Sequence, residues 1–448
     1  MLSAAPVFAG ESYCFRVYLK DKGVPERAIE SPETFLSPET IERRTKRNVE
    51  ITLSDVPIAP AYLERIVSAG VRLVTQSKWM TTVVVESEDS LSAVERLLAL
   101  PIVDSLRCVW QGADRLAETE CPDDTLSLLE PSCNKIRKEY GYAEPQIEQL
   151  NGIRLHETGR RGQGMRVAVI DAGFLNVDRI SAFASLRLLG TYNVVFPGHN
   201  VFCEDDHGTK VLSCLAANLP GVMVGTAPEA SYLLIKSEDT RAEYPVEEDF
   251  WTAALEYADS VGVDVVSSSL GYYLFDTGDT VYTPSDLNGR TAFISRVAET
   301  AVEKGLLLFC SAGNEGNHEW EKVTFPADAS GVVTVGAITE EKTHSSFSSM
   351  GFTADYRVKP DVVALGSGAC VVDADGDVQY TNGTSFSTPI MAGLGACLWQ
   401  ALPWLEVKEL IALICRTASQ ADRPDAELGY GIPDVYKAYI KELNEPVQ

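Results

Sequence analysis

The sequence predicts an α/β protein built as two units: a small β-α-β-β-α-β unit, then a doubly wound, mostly parallel sheet flanked by helices. Two observations carry this prediction. Within residues 11–112, short segments alternate apolar and polar side chains, the pattern of strands buried on one face. Beyond residue 147, short unbroken runs rich in Val, Ile and Leu are separated by helical periodicity, the pattern of parallel strands covered on both faces.

In the first unit Phe15, Val17 and Leu19 alternate with Arg16, Tyr18 and Lys20, which predicts a half-buried strand. A helix over 60–70 ended by Gly70, strands over 71–76 and 81–86, a capped helix over 89–100 and a strand over 104–110 follow. That order is the split βαβ of ferredoxin-like folds, whose first and last strands are antiparallel neighbours. Cys14 and Cys108 are therefore expected to meet in a disulfide. Arg43, Arg44, Lys46 and Arg47 are the densest basic cluster; on a helical run with Glu39 and Glu42, they are expected on a solvated face. Residues 113–146 lose periodicity and carry Pro122, Pro131 and Pro145 among acidic residues, the composition of a linker. From 147 to 448, buried runs at Arg166–Asp171, Ser231–Lys236, 264–268, 306–311 and 331–336 make one sheet. Such a sheet binds its ligand outside the carboxyl ends of its strands.

A chain of 448 residues has ample length for two domains. Its 64 acidic residues against 38 basic ones give a formal charge of -26, which argues against a polyphosphate partner. No run reaches the ~18 apolar residues of a membrane span. Residues 1–10 read as the remnant of a secretory signal or a disordered terminus, and the expected location is secreted, periplasmic or extracellular. The cysteines lack paired zinc-site spacing. Cys214, Cys310, Cys397 and Cys415 lie in apolar runs and are expected as core thiols.

Three residues carry the chemistry. Asp171 stands at the carboxyl end of a buried run with Gly173 following where the chain must turn, His207 opens an apolar helical run, and Ser385 precedes a long apolar helix placed from Pro389 to about Leu402. A serine beside a helix N-terminus sits where developing negative charge is favoured. Its hydroxyl becomes a nucleophile only when a base takes its proton, and the base needs a carboxylate to fix its tautomer. Asn314, in the block Ser311-Ala312-Gly313-Asn314, supplies a side-chain amide at another strand end to receive an oxyanion. Glu204, Asp205 and Asp206 precede His207 and read as a solvated acidic loop or as a field that favours the imidazolium. His156, His199, His318 and His344 lack ligand spacing and are expected at the surface.

The blocks VAVIDAG (167–173), HGTKVLS (207–213), SAGNEG (311–316) and NGTSFSTP (382–389), in that order, resemble the subtilisin-like serine peptidases, the subtilases. The resemblance runs from about 150 to 440. It implies a doubly wound fold and an endopeptidase in which Asp171 orients, His207 is the base, Ser385 attacks and Asn314 holds the oxyanion. Ser269, Leu270 and Gly271 resemble the family's substrate-binding segment, which would add an extended polypeptide as a strand; with Ser311, Ala312 and Gly313 they would wall the first specificity pocket, with Thr324 and Phe325 at its floor. Residues 11–112 resemble an inhibitor-like propeptide, the chain's own partner until a cut in the linker. A monomer is expected. No cofactor is required; calcium is frequent in the family, and no acidic loop identifies a site. Ala172 and Leu365 depart from the family pattern, Ala172 by removing a hydroxyl beside Asp171. A binding module without activity and an esterase are the competing classes; the esterase lacks its G-x-S-x-G, since Gly383-Thr384-Ser385-Phe386-Ser387 ends in serine.

Overall fold

A computed structural model describes residues 11–113, 128–131, 138–276 and 281–444. The expected signal remnant and most of the expected linker lie outside them.

In the first unit four antiparallel strands are ordered Val103–Ala113, Glu11–Leu19, Thr82–Ser87, Arg72–Ser77. This is the ferredoxin-like order, with the first strand between the last and the third. Helices Pro60–Val67 and Ser90–Leu98 cover one face and close a small core with Phe15, Val17, Val83 and Val85. The other face is not solvated. Cys14, Val84 and Val109 join the core of the second unit, and Arg16 is 1% exposed. The Arg16 guanidinium donates to Asp249 at 2.8 and 2.7 Å and to Glu248 at 3.1 Å, and it lies 3.7 Å over the Phe293 ring. An alternating strand shows which residues share a face, and here the polar-looking face is the docked one.

The basic cluster is corrected in the same way. Helix Pro38–Lys46 lies against the end of helix Val246–Ser260, so Arg43 pairs with Asp259, and Arg44 reaches Asp55 at 2.9 Å and Asp259 at 2.7 Å. Arg47 pairs with Asp264 at 2.7 Å. Of the four, Lys46 is the one on an exposed face. The expected Cys14–Cys108 disulfide is not formed: both are thiols, and an irregularity after Cys14 sets Cys14 opposite Trp110 and Cys108 opposite Phe15. Cys203 is the disulfide-bonded cysteine among the described residues.

The second unit is a seven-stranded, all-parallel sheet in the order Val362–Leu365, Val333–Ile338, Leu307–Ser311, Val265–Ser268, Arg166–Asp171, Ser231–Lys236, Arg187–Asn193. Helices Val246–Ser260 and Phe293–Glu303 pack together under the first unit, while His207–Ala216 and Thr384–Ala401 pack against each other. From Ser231–Lys236 the chain crosses Arg166–Asp171 to Val265–Ser268, so the winding reverses there and a crevice opens at the carboxyl ends. Tyr140 and Ala143, inside the expected linker, are buried in this core. His156 is not at the surface: it is 3% exposed, held between the Tyr140 hydroxyl at 3.1 Å and the Thr226 carbonyl at 2.9 Å. Among the described residues no helix is long and apolar enough to cross a membrane.

Candidate active site

Asp171 is the last residue of its strand and fully buried. Two glycines bring its partner near. A Cβ on Gly173 would stand 2.0 Å from the Glu204 carbonyl, and one on Gly208 would stand 2.2 Å from the Gly173 carbonyl and 3.0 Å from the Asp171 Cβ. Helix His207–Ala216 can therefore start against the strand end, and His207 Nδ1–H donates to Asp171 Oδ1 at 2.6 Å. The Ala172 N–H donates to the same oxygen at 2.8 Å, while the buried Oδ2 accepts no hydrogen bond. That matches the missing hydroxyl at position 172.

The acidic run before His207 divides. Glu204 pairs with Lys236 at 3.1 Å and Asp206 with Lys210 at 2.7 Å, so both are spoken for. Asp205 accepts the His207 N–H at 2.7 Å. Burial pushes the His207 pKa down, but the Asp171 charge and hydrogen bond, with Asp205 behind them, outweigh it and the net shift is upward.

Helix Thr384–Ala401 starts five residues before Pro389, so Ser385 is in its first turn and Pro389 is inside it. Proline has no N–H to give the carbonyl four residues back. That carbonyl belongs to Ser385, and it accepts the Ser269 hydroxyl at 2.8 Å instead. The Ser385 hydroxyl donates to the Ser269 carbonyl at 3.4 Å, a long contact that a rotation about Cα–Cβ would redirect. Asn314 Oδ1 accepts from Thr384 N–H at 2.9 Å and Thr384 Oγ1 at 3.1 Å. The amide is thereby turned so that its NH₂ is left for the cleft.

His207, Ser385, Asn314, Ser269, Leu270, Gly271, Ser311 and Gly313 line one cleft of about 500 Å³. Asp171 lies behind it. Ala312, expected as a wall, is fully buried and contributes its carbonyl to Thr324 N–H at 3.0 Å. At the far end stand Glu238, Glu243 and Glu247, whose carboxylate oxygens lie within 4.8 Å of one another. Glu247 accepts the N–H of Asp239 and of Tyr244, and Glu238 accepts the Tyr272 hydroxyl at 2.5 Å. Burial pushes Glu238 up to about 8 and Glu243 up to about 7, because a carboxylate loses solvation at this end of the cleft. The sequence offered no spacing signal for it.

Comparison with known proteins agrees with the geometry. Residues 162–431 match the model of the subtilase family, and residues 14–122 match that of the peptidase S8 propeptide domain of Bacteroidota. Subtilisin NAT of Bacillus subtilis subsp. natto and subtilisin E of Bacillus subtilis (strain 168) are each 32% identical over 274 residues, covering 60% of this chain. The chain spans 64% of the length of each. An intracellular serine protease of Paenibacillus polymyxa is 30% identical over 308 residues, 63% of this chain and 82% of that protein. With its parallel sheet, its paired Asp171 and His207 and a family match over more than half its length, this chain belongs to the subtilase family.

Proposed function

We propose that this chain is a serine endopeptidase, made as a zymogen, which cleaves polypeptides through an acyl-enzyme on Ser385. The observation that carries the reading is the 2.6 Å bond from His207 Nδ1 to buried Asp171 in a cleft that also holds Ser385 and Asn314. The bond fixes the tautomer, so Nε2 is the unprotonated nitrogen, left to take the proton of the nucleophile. As the Ser385 hydroxyl turns from Ser269 and attacks the scissile carbonyl, its proton passes to Nε2. The imidazolium then stands against Asp171, which stays ionised. The carbonyl oxygen, now an anion, takes N–H donors from the Asn314 amide and the Ser385 backbone at the helix start; one such donor is worth about 3 to 4 kcal/mol. His207 returns the proton to the leaving amine, and water repeats the sequence to free the acid.

The substrate lies extended along Ser269, Leu270 and Gly271, so backbone pairing supplies affinity with little dependence on sequence. Residues 11–112 act as the chain's own inhibitor, and processing falls in residues 113–146. The active form is a secreted monomer. Every proton in this scheme is carried by side chains, so turnover is expected to survive EDTA, with any calcium acting on stability alone.

Casein hydrolysis and N-terminal sequencing of wild type beside Ser385→Ala test the reading. Wild type is expected to cleave casein and to appear as a shortened species, and Ser385→Ala to lose about a million-fold in kcat and remain full length. Hydrolysis of esters without casein cleavage points to the esterase class. Absence of both points to a binding module, and identical processing in the two proteins removes self-cleavage.

A further inference from the structure

We infer that Thr324 closes the floor of the first specificity pocket, so that the residue whose carbonyl is attacked must be small, of the size of alanine or serine. This rests on the peptidase reading above and adds its substrate class. The pocket lies between the segment at 269–272 and the segment at 311–313, with Thr324 and Phe325 between them. Both walls are tied to this floor. Phe325 N–H donates to the Tyr272 carbonyl at 2.9 Å, Tyr272 N–H donates back at 2.8 Å, and Thr324 N–H donates to the Ala312 carbonyl at 3.0 Å. The floor cannot sink without breaking these bonds.

Each wall is thinned to a glycine, and Thr324 fills the room so made. A Cβ on Gly271 would stand 2.1 Å from Thr324 Oγ1; one on Gly313 would stand 2.8 Å from Thr324 Cγ2 and 3.0 Å from Oγ1. Gly313 has φ +103°, a conformation that admits little but glycine. The Thr324 side chain therefore meets both walls, with Ser349 Oγ also 2.8 Å from the Cβ position at Gly313, and it stands where a long aromatic or branched aliphatic side chain would have to enter. A close-packed wall yields little to an oversized group.

The second observation concerns polarity. Thr324 is 3% exposed, lines the cleft and has an Oγ1 that is buried with no hydrogen-bond partner. A buried hydroxyl without a partner is unfavourable, and a ligand that bonds it relieves that cost. A serine side chain is short enough to reach the floor and can both donate and accept. Alanine fits the same space without the bond.

Peptide anilides identical except for Ala, Ser, Leu or Phe at the attacked residue test the inference on the active secreted enzyme, with active sites counted by fluorophosphonate titration. Wild type is expected to show kcat/KM for Ala and Ser at least about 10-fold above Phe. Thr324→Gly is expected to move the Phe to Ala ratio upward by at least about 10-fold, and Thr324→Ser, which removes the methyl and keeps the hydroxyl, by less. Cleavage-site sequencing of casein products should show the same shift. A wild type faster on Phe than on Ala, or a titratable Thr324→Gly with an unchanged ratio, overturns the inference. Should Thr324→Gly fail to fold, the wild-type ratio and Thr324→Ser decide it alone. Absence of both titration and hydrolysis overturns the peptidase reading and this inference with it, and is distinct from hydrolysis with the wrong preference.

Discussion

Asp171 gives His207 one oxygen and keeps the other, Oδ2, buried with no hydrogen bond. Leaving a buried acceptor unmade costs about 1 to 3 kcal/mol, and Ala172 is the nearest residue in sequence that could have supplied a hydroxyl. Ala172→Ser is therefore expected to raise the melting temperature, read by calorimetry at equal pH; an unchanged or lower value would mean that the hydroxyl cannot reach Oδ2. A second prediction concerns protons. His207 acts as a base only when neutral, and its pKa is raised, so activity is lost on the acid side at a higher pH than an ordinary imidazole would dictate. Asp205 contributes to that rise, so Asp205→Asn is expected to move the acidic limb of kcat/KM to lower pH, whereas Asp206→Asn, with Lys210 as its neighbour's charge, should move it less. Asp171, His207, Asn314 and Ser385 were singled out in the sequence by their four blocks taken together and in order, which resemble the subtilases, since a strand-end Asp or a helix-start His alone is a weak signal. The structure places them at strand ends and helix starts around one cleft. The sequence offered the acidic run as a field on His207 without singling out Asp205 from its neighbours, and the bond of the Ser269 hydroxyl to the Ser385 carbonyl was not legible, because both depend on where a loop and a hydroxyl come to rest against distant chain.

At the scale of elements, Pro389 shows why boundaries are harder to read than elements. A proline early in an apolar run suggests a helix start, yet the helix begins at Thr384 and takes the proline within it. It can do so because the carbonyl that loses its partner is Ser385's, and Ser269 Oγ bonds it from the neighbouring strand end at 2.8 Å. Ser269→Ala should leave that carbonyl unpaired at the turn that carries the nucleophile. The expected result is roughly 10-fold lower kcat, consistent with about 1.4 kcal/mol, with KM for a peptide anilide little changed; a loss confined to KM would assign Ser269 to substrate binding alone. The five buried runs read from sequence are all strands of the sheet, since burial on both faces leaves an unbroken apolar stretch. Strand Arg187–Asn193 escaped because it is an edge: its side chains are largely exposed and carry no such stretch. Strand Val362–Leu365 is only four residues long and is not among the five runs read from periodicity.

The two units share an apolar core, and the charges buried between them fix how they meet. Arg16 with Asp249 and Glu248, and Arg43 and Arg44 with Asp259 and Asp55, are ion pairs almost without solvent. Glu256 adds three bonds from the first unit, accepting Ser77 Oγ at 2.5 Å and the N–H groups of Lys78 and Trp79 at 2.9 Å. From sequence these arginines look like a solvated face, because alternation and charge say nothing of a partner surface brought from 200 residues away in the chain. Removing one partner strands the others, so Arg16→Ala is expected to weaken the association of the units by about 3 to 5 kcal/mol, measured as faster loss of the first unit after linker cleavage. His156 sets a further dependence. Burial first, and then Arg161, pushes its pKa down to about 4 from an ordinary 6.5. The unfolded chain therefore binds a proton that the folded one does not as pH falls from 6.5 towards 4, and stability declines across that window by up to about 3 kcal/mol. His156→Gln should flatten the decline in melting temperature over that range.

All of this turns on whether Ser385 is a nucleophile activated by His207. Peptide mapping of the protein after reaction with a fluorophosphonate measures that most directly. A single phosphonyl adduct on Ser385, formed rapidly in wild type and lost in His207→Ala, is the predicted result. An adduct on another residue, or labelling of Ser385 at the same rate without the imidazole, would contradict it.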